Sequence, residues 1–368
     1  MAKRSNTLRV LAAPIKLTLA DFRLQLPLLF ALLYYPERLK SIVPERLYPW
    51  ITSARFLQGL KILLGLNLAG FINKKLSQYA VNNWKKDAKW INSQEVVLIT
   101  GGSSGIGELV AKDFVKRGVK VISLDLNPPK KAQPGVHFYK ADVTSPDDLA
   151  SVGAQIRKAH GDPTVLINNA AVGYAMTILD EPVDSIRRSF EVNTFSHFLT
   201  VKEFLPAMIK KNHGHVVTIA SMASYVTVAS IVDYNCTKAS AVAFHEGLAS
   251  ELKHRYDAPN VRTTLVNPTW VRTPLIGPLV ADPTFNDLVL EPEDVSLAIV
   301  KAILSGRSSH VILPSFYGPV AGIRGWPAWM AEGLRNRVGY LMDVRVRYGG
   351  KFKKDPRLDG GSIEDLKM

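Results

Sequence analysis

Cysteine is almost absent: there is one, Cys236, in 368 residues. A single thiol excludes an intramolecular disulfide and a cysteine-based zinc site, and it fits a reducing compartment. Acidic residues are scarce at the start of the chain, where residues 1–94 hold 15 Lys and Arg against 4 Asp and Glu. Long uncharged runs are missing too. The two apolar runs in this stretch, 24–35 and 62–73, are 12 residues each, short of the roughly 18 to 20 that a simple bilayer span needs. Pro27 interrupts the first, and Gly65 and Gly70 sit in the second. A secretory signal is weak as well, because Arg9 and Lys16 break the apolar stretch behind Lys3 and Arg4. His197, His213, His215 and His245 lack acidic or Cys neighbours at metal-ligand spacing, so no metal is expected.

What is present is charge at the two ends. The formal net charge is +14, of which residues 1–94 carry +11, residues 95–306 carry −2 and residues 307–368 carry +5. Basic ends around a nearly neutral body point to a polyanionic partner. No nucleic-acid motif accompanies the charge, and Leu-rich runs are out of place in one, so no nucleic-acid partner is expected. Short apolar segments flanked by Lys74, Lys75, Lys85 and Lys86, with Trp50, Trp84 and Trp90 nearby, suit a helix resting in one membrane face. The stretch 311–323 is similarly apolar and is followed by Arg324, Trp326 and Trp329. The bland alternative is a helical cap whose apolar face packs on the body.

From Glu95 onward short apolar runs alternate with helical stretches. Runs at 96–100, 119–124, 136–139, 165–167, 215–219, 261–266 and 310–313 read as strands. The alternation predicts an α/β fold, a single doubly wound parallel sheet of Rossmann type over 95–314, with right-handed crossovers. Residues 1–94 and 315–368 are then helical, membrane-associating extensions.

The first strand ends in TGGSSGIG, 100–107, and a helix follows. In that context glycines have a use. Gly101 permits the tight turn, Gly105 lets backbone approach a pyrophosphate, and Gly107 allows close packing of helix on strand. The helix start offers N–H groups to phosphate. Asp125 lies 18 residues past Gly107, at the end of the second strand. A carboxylate there accepts hydrogen bonds from ribose hydroxyls and repels a 2′-phosphate. Leu126 and Asn127 beside it supply no cation, so NAD is expected ahead of NADP.

This spacing, Thr-Gly-x-x-x-Gly-x-Gly, resembles the short-chain dehydrogenase/reductase family. Other matches follow in order over 95–314. Asp142 and Val143 look like the family's adenine contacts. Asn168-Asn169-Ala170-Ala171 resembles its Asn-Asn-Ala-Gly motif, with Ala171 in place of Gly. Asn193 follows, then Ser221, which lies 13 residues before the Tyr-x-x-x-Lys pair Tyr234 and Lys238. Residues 268–273 resemble Pro-Gly-x-Val-x-Thr, with Thr269 in place of Gly. The resemblance implies a Ser-Tyr-Lys-Asn catalytic set of Ser221, Tyr234, Lys238 and Asn193. It implies a cofactor site of Thr100, Gly101, Ser103, Ser104, Gly105, Ile106, Gly107, Asp125, Asp142, Val143, Asn168, Ala170, Tyr234, Lys238, Pro268, Val271 and Thr273. The Asn193 helix is expected to hold a water that extends a proton path from Lys238. Family members often dimerise through the helices equivalent to those of Asn193 and Tyr234, which leaves a homodimer open.

The chemistry needs such a set. Tyrosine, with a pKa near 10, is a poor base at neutral pH. Tyr234 and Lys238 are four apart in a helical stretch and share a face, so the ammonium is expected to lower the phenol's pKa. Ser221, with Ser224 as its rival, donates to the substrate oxygen. Apolar residues from Trp270 to Phe285, facing Met222, Tyr225, Val226 and Val228, predict a lipophilic alcohol or ketone substrate. The basic, apolar N-terminal extension is similar to the retinol dehydrogenase-like and 17β-hydroxysteroid dehydrogenase-like branch, which implies the cytosolic face of endoplasmic reticulum or lipid droplet. A soluble NADPH-dependent ketoreductase of secondary metabolism and a catalytically idle membrane scaffold are the competing readings.

Overall fold

Pro27, Gly65 and Gly70 do not break the helices they sit in. The computed structural model describes residues 21–281, 285 and 287–339. The predicted signal-like stretch and the tail beyond 339 lie outside them. Contacts divide the chain into two units, 1–80 and 81–368. The described part of the first holds α1 (Phe22–Tyr34), α2 (Pro36–Lys40), α3 (Tyr48–Ile51) and α4 (Ala54–Val81). Asp21 caps α1 by accepting a hydrogen bond from the Arg23 backbone N–H. Leu29 and Leu32 of α1 and Leu60 of α4 form a small buried cluster. Most of α4 buries nothing. Its 28 residues extend about 42 Å at 1.5 Å per residue. By length and composition alone α4 is long and apolar enough to cross a membrane. The 62–73 run understated this length because helix does not stop at a lysine: Lys61, Lys74 and Lys75 all continue α4.

In the second unit the alternation predicted from Glu95 onward appears as β1 (Val96–Thr100), α5 (Gly105–Val115), β2 (Lys120–Asp125), β3 (Val136–Lys140), α6 (Pro146–His160) and β4 (Val165–Asn168). Then come α7 (Val183–Phe190), α8 (Ser196–Lys211), β5 (Gly214–Ile219), α9 (Val232–His254) and β6 (Val261–Pro268). The chain closes with β7 (Trp270–Val271), α10 (Gly277–Ala281), β8 (Val289–Leu290), α11 (Pro292–Leu304), β9 (Ser309–Leu313) and α12 (Ala328–Gly339). Seven parallel strands form one sheet in the order β3-β2-β1-β4-β5-β6-β9. The order reverses direction between β1 and β4, and ligands of such sheets bind beyond the strand ends at that point.

Both faces of the sheet are covered, which is why its strands read as continuous apolar runs. Val96 and Leu98 of β1 pack with α6, α8 and α9 through Leu149, Phe204 and Leu252. Val97 and Ile99 pack with α5 and α11 through Phe114 and Ile299. Each such side chain removed from water contributes about 1.5 to 3 kcal/mol.

The body begins before its first strand. Arg262 of β6 is buried and donates to the carbonyls of Asn82, Lys86, Pro259 and Gly306. Asn82 also accepts from the Ser308 backbone N–H at 3.0 Å. Residues 82–88 are therefore held to the dehydrogenase-like body, although composition placed them with the extension ending at 94. The C-terminal extension divides too. Residues 315–339, a 3₁₀ run followed by α12, pack on the body through Val226, Ile323 and Ala331. This part behaves as the cap that sequence offered as its bland alternative.

His213 and Glu95 meet at 3.2 Å at the amino ends of β5 and β1, with the carboxylate almost wholly buried. Burial works to raise the Glu95 pKa, but hydrogen bonds from His213 and Thr164 outweigh it and lower it. The same hydrogen bond raises His213. The pair's stabilisation is complete between the ordinary values of 4.5 and 6.5. It is lost as pH rises through the raised His213 value and as pH falls through the lowered Glu95 value. His213→Ala should cost about 1 to 2 kcal/mol near pH 6 and flatten stability against pH on the alkaline side of that window. Urea unfolding at several pH values checks it; an unaltered profile excludes the pair as the source.

Candidate active site

The glycine loop is seated as tightly as glycine allows. Gly101 has φ +66° and Gly105 φ +57°, left-handed values that suit glycine. A Cβ on Gly101 would lie 2.9 Å from the Ala170 Cα, and one on Gly107 would run into the Gly101 carbonyl oxygen. Thr100 fixes the seat: its Oγ1 accepts from the backbone N–H groups of Asn169 and Ala170, each at 3.0 Å. Asn169 Nδ2 donates to the carbonyls of Thr100 and Gly101, also at 3.0 Å. Asp125 Oδ2 accepts from the Ser103 N–H at 3.1 Å, and Oδ1 accepts from Asn127 N–H at 3.2 Å. Among the described residues the buried Ser103 hydroxyl has no hydrogen-bond partner.

Gly101, Ser104, Gly105, Ile106, Asp125 and Val143 line one end of a cleft of about 640 Å³ beyond the carboxyl ends of the strands. Ala170, Pro268, Val271 and Thr273 line it further along. Thr100, Ser103 and Gly107 support the loop from behind. Asn168 is buried and accepts from Thr200 Oγ1 at 2.8 Å. The cleft is lined instead by its neighbour Asn169, which the sequence reading passed over inside the same motif. Asp142 accepts from the backbone N–H and hydroxyl of Thr144 and pairs with Arg188 at 3.2 Å. Burial alone would raise its pKa, and these partners together lower it. Arg188, which also lines the cleft, gave no sequence signal.

The other end holds Ser221, Tyr234 and Lys238. Ser221 lies just past the carboxyl end of β5, where its Oγ accepts from the Ala223 N–H at 3.1 Å. Tyr234 and Lys238 project from the first turns of α9, and Tyr234 is hydrogen-bonded to Ser221. Ser224, the rival, is turned away: its hydroxyl donates to the Lys238 carbonyl. Cys236 is an exposed free thiol. Asn193 lies in a π turn, Glu191–Phe195, between α7 and α8. Both of its N–H donors are taken, by the Val172 carbonyl at 2.8 Å and Thr237 Oγ1 at 3.2 Å. Its Oδ1 accepts from the Val172 N–H. The side chain thus ties the segment after β4 to α9, while the wide turn around it is a feature common at functional sites.

The expected lowering of the tyrosine pKa by lysine does not appear. Burial pushes Tyr234 up to about 12, and the Ser221 hydrogen bond offsets this only in part. Burial pushes Lys238 down to about 8. The amine donates to the Ile219 carbonyl at 2.9 Å and lies 5.5 Å from the Tyr234 ring centre. Both groups sit in a floor whose burial disfavours either charge. Beside them Glu181 is raised, first by burial and then by the Asp233 carboxylate.

The walls above this floor are Met222, Val226, Val228, Trp270, Leu275 and Ile276. Phe285 stacks edge-on against Trp270 at 5.7 Å. Tyr317, Val320, Leu334 and Val338 close the cleft from the C-terminal segment, which the sequence offered as a membrane-associating stretch or a cap but not as part of the site.

Asn193→Ala removes partners from two backbone groups of Val172 and from Thr237. It should cost about 2 to 4 kcal/mol, read as a lower urea midpoint; a loss below about 1 kcal/mol would show that the tie carries little.

Comparison with known proteins agrees with this geometry. The short chain dehydrogenase family profile matches residues 95–284. Dehydrogenase RED2 of Cochliobolus heterostrophus is 47% identical over 194 residues, covering 52% of this chain and 73% of that one. Estradiol 17-beta-dehydrogenase 11 of Homo sapiens is 36% identical over 264 residues, covering 69% of this chain and 86% of that one. Among solved structures, 3-ketoacyl-(acyl-carrier-protein) reductase from Brucella melitensis, complexed with NADH, shares the fold. Its TM-score is 0.53 at 23% identity, covering 61% of this chain and 98% of that one. The glycine cradle, with Gly101 and Gly105 lining the cleft and Asp125 at its end, fits a dinucleotide, and the chain belongs to the short-chain dehydrogenase family of NAD(P)-dependent oxidoreductases.

Proposed function

We propose that this enzyme interconverts lipophilic alcohols and ketones with NAD as its preferred cofactor, at the cytosolic surface of a membrane or lipid droplet. The observation that carries the reading is the juxtaposition of Ser221, Tyr234 and Lys238 with the apolar side chains of Met222, Val226, Val228, Trp270, Leu275 and Val338. A relative named for estradiol, a lipophilic secondary alcohol, supports the substrate class.

Bound NAD supplies the hydride acceptor and, when oxidised, a positive charge. Everything else falls to the chain. Oxidation breaks the carbinol C–H and O–H bonds, and Tyr234 takes the oxygen's proton. Ser221 donates to that oxygen as charge develops. Lys238 stands one helical turn beyond Tyr234, where it can hold a ribose hydroxyl and pass a proton on. Asn193 sets the turn that faces it. A Tyr234 raised to about 12 is a proton donor in reduction, and oxidation requires added positive charge near the phenol. Asp125 retains unused lone pairs after its bonds to Ser103 and Asn127, so it still accepts from ribose hydroxyls. Gly101 and Gly105, which line the cleft, would hold the pyrophosphate through backbone, with Gly107 packing the helix behind them.

The membrane reading rests on α4. Ile62, Leu66, Phe71 and Leu76 are 58%, 66%, 43% and 50% exposed, an apolar surface that water disfavours. Lys74 and Lys75 add attraction to anionic lipid. The division we propose is an anchoring unit up to about residue 80, the catalytic body and a C-terminal cap. A lone exposed Cys236 fits the cytosolic face.

Tyr234→Phe should lower turnover by about a thousandfold and leave NADH binding, read by fluorescence, intact. Asp125→Ala should weaken NAD and narrow its advantage over NADP; unchanged NAD affinity would overturn the ribose assignment. Deleting residues 1–80, which spares the segment held by Arg262, should release the protein in carbonate extraction. A truncated chain that still pellets moves the anchor to the C-terminal segment.

A further inference from the structure

The C-terminal helix α12 has two unlike faces. Ala331, Leu334 and Val338 recur at the spacing of one helix face, and Ala331 is buried. On the other side Trp329 is 77% exposed. The inner face packs on Val226 and Ile323. Val338 also reaches the cluster of Val228, Ile231, Tyr234 and Trp270. Leu334 and Val338 therefore line the cleft, and Val338 stands directly over the tyrosine's neighbourhood. Arg324, just before this helix, donates to the Ser224 carbonyl at 2.9 Å and fastens the segment to the Ser221 loop.

We propose that Leu334 and Val338 are specificity-determining residues, forming the roof of an apolar slot for the hydrocarbon part of the substrate. The inference rests on the reading of the cleft as a lipophilic alcohol and ketone site. A substrate oxygen held by Ser221 and Tyr234 leaves its carbon skeleton to run between Val338 above and Val228, Ile231 and Trp270 below. None of these residues carries a charge. The one buried amine on the floor, Lys238, is already hydrogen-bonded to Ile219. Val228, Ile231 and Val338 offer nothing to a polar group, and the Asp287 carboxylate nearby already accepts from Trp270 Nε1 at 2.6 Å and from the Leu288 N–H, whereas each methylene seated there gains burial. At about 0.8 kcal/mol per methylene, kcat/KM should rise roughly fourfold per added carbon until the slot is full.

Full-length enzyme in detergent, assayed with NAD and the 2-alkanols from 2-butanol to 2-tetradecanol, tests this. The wild type should show the rise and then a plateau. Leu334→Phe and Val338→Phe should shorten the plateau and lower the ratio of long-chain to short-chain kcat/KM at least about tenfold. Leu334→Ala and Val338→Ala should move the plateau to longer chains. Thermal unfolding of each variant identifies any that fail to fold, and the alanine pair then decides. A flat wild-type length profile, or variants that scale all chain lengths equally, overturns the proposal. Binding of a fluorescently labelled fatty alcohol is read in parallel. If the wild type oxidises none of the series but the Phe variants still lose the labelled alcohol, the slot stands and the alcohol-oxidation reading falls. Unaltered binding in all four variants removes the slot whatever the turnover.

Discussion

The hydrogen bonds between Thr100 and Asn169 set the position of nearly everything that follows. They join the carboxyl ends of β1 and β4, the two strands between which the sheet's order reverses. The same amide holds the Gly101 carbonyl, and the same hydroxyl holds the Ala170 N–H. Ala170 is thereby brought so close to Gly101 that no side chain fits between them. From there the chain crosses the cleft. Val172 is tied to Asn193 at both backbone groups, and Gly173 lies against the Tyr234 ring. One tie thus locates the glycine loop, the π turn and the tyrosine relative to one another.

The parts of this arrangement that depend on local rules are readable in the sequence. Strands buried on both faces favour apolar runs, and β1, β2 and β4 show it plainly, whereas β6 interleaves its Val and Leu with buried Arg262, Thr263, Thr264 and Asn267. Glycines at left-handed positions in the loop announce themselves by spacing, as do Tyr234 and Lys238 by sharing a helix face. What escaped notice depends on contacts between distant segments. Asn168 and Asn169 are chemically identical, and only the geometry at the end of β4 sends one into the body and the other to the cleft. Arg188 acquires its place through Asp142, far away in sequence. The π turn leaves no compositional trace. Helix α12 did carry a signal, apolar residues at 331, 334 and 338, but an apolar stripe beside basic residues reads equally well as lipid-facing.

The electrostatics of the floor show the same limit. Four residues of separation suggested a lysine that acidifies a tyrosine. Distance along a helix says nothing about solvent, and the solvent term is the larger one here: each group is driven toward its neutral form. The floor is consequently a place where incoming charge matters more than resident charge. Its proton affinity is set by what lies on it, which makes the tyrosine responsive to the redox state of its surroundings.

The bond from Arg324 to the Ser224 carbonyl has a kinetic consequence. It joins the roof of the cleft to the loop that begins at Ser221, so the roof cannot swing away without straining or breaking a contact three residues from the substrate's hydrogen-bond donor. Exit of a bulky product and the alignment of that donor then draw on one and the same local motion. With Ser221 in the role proposed for it, a looser roof would come with a less steady donor, and product release would be tied to the alignment of the reacting oxygen.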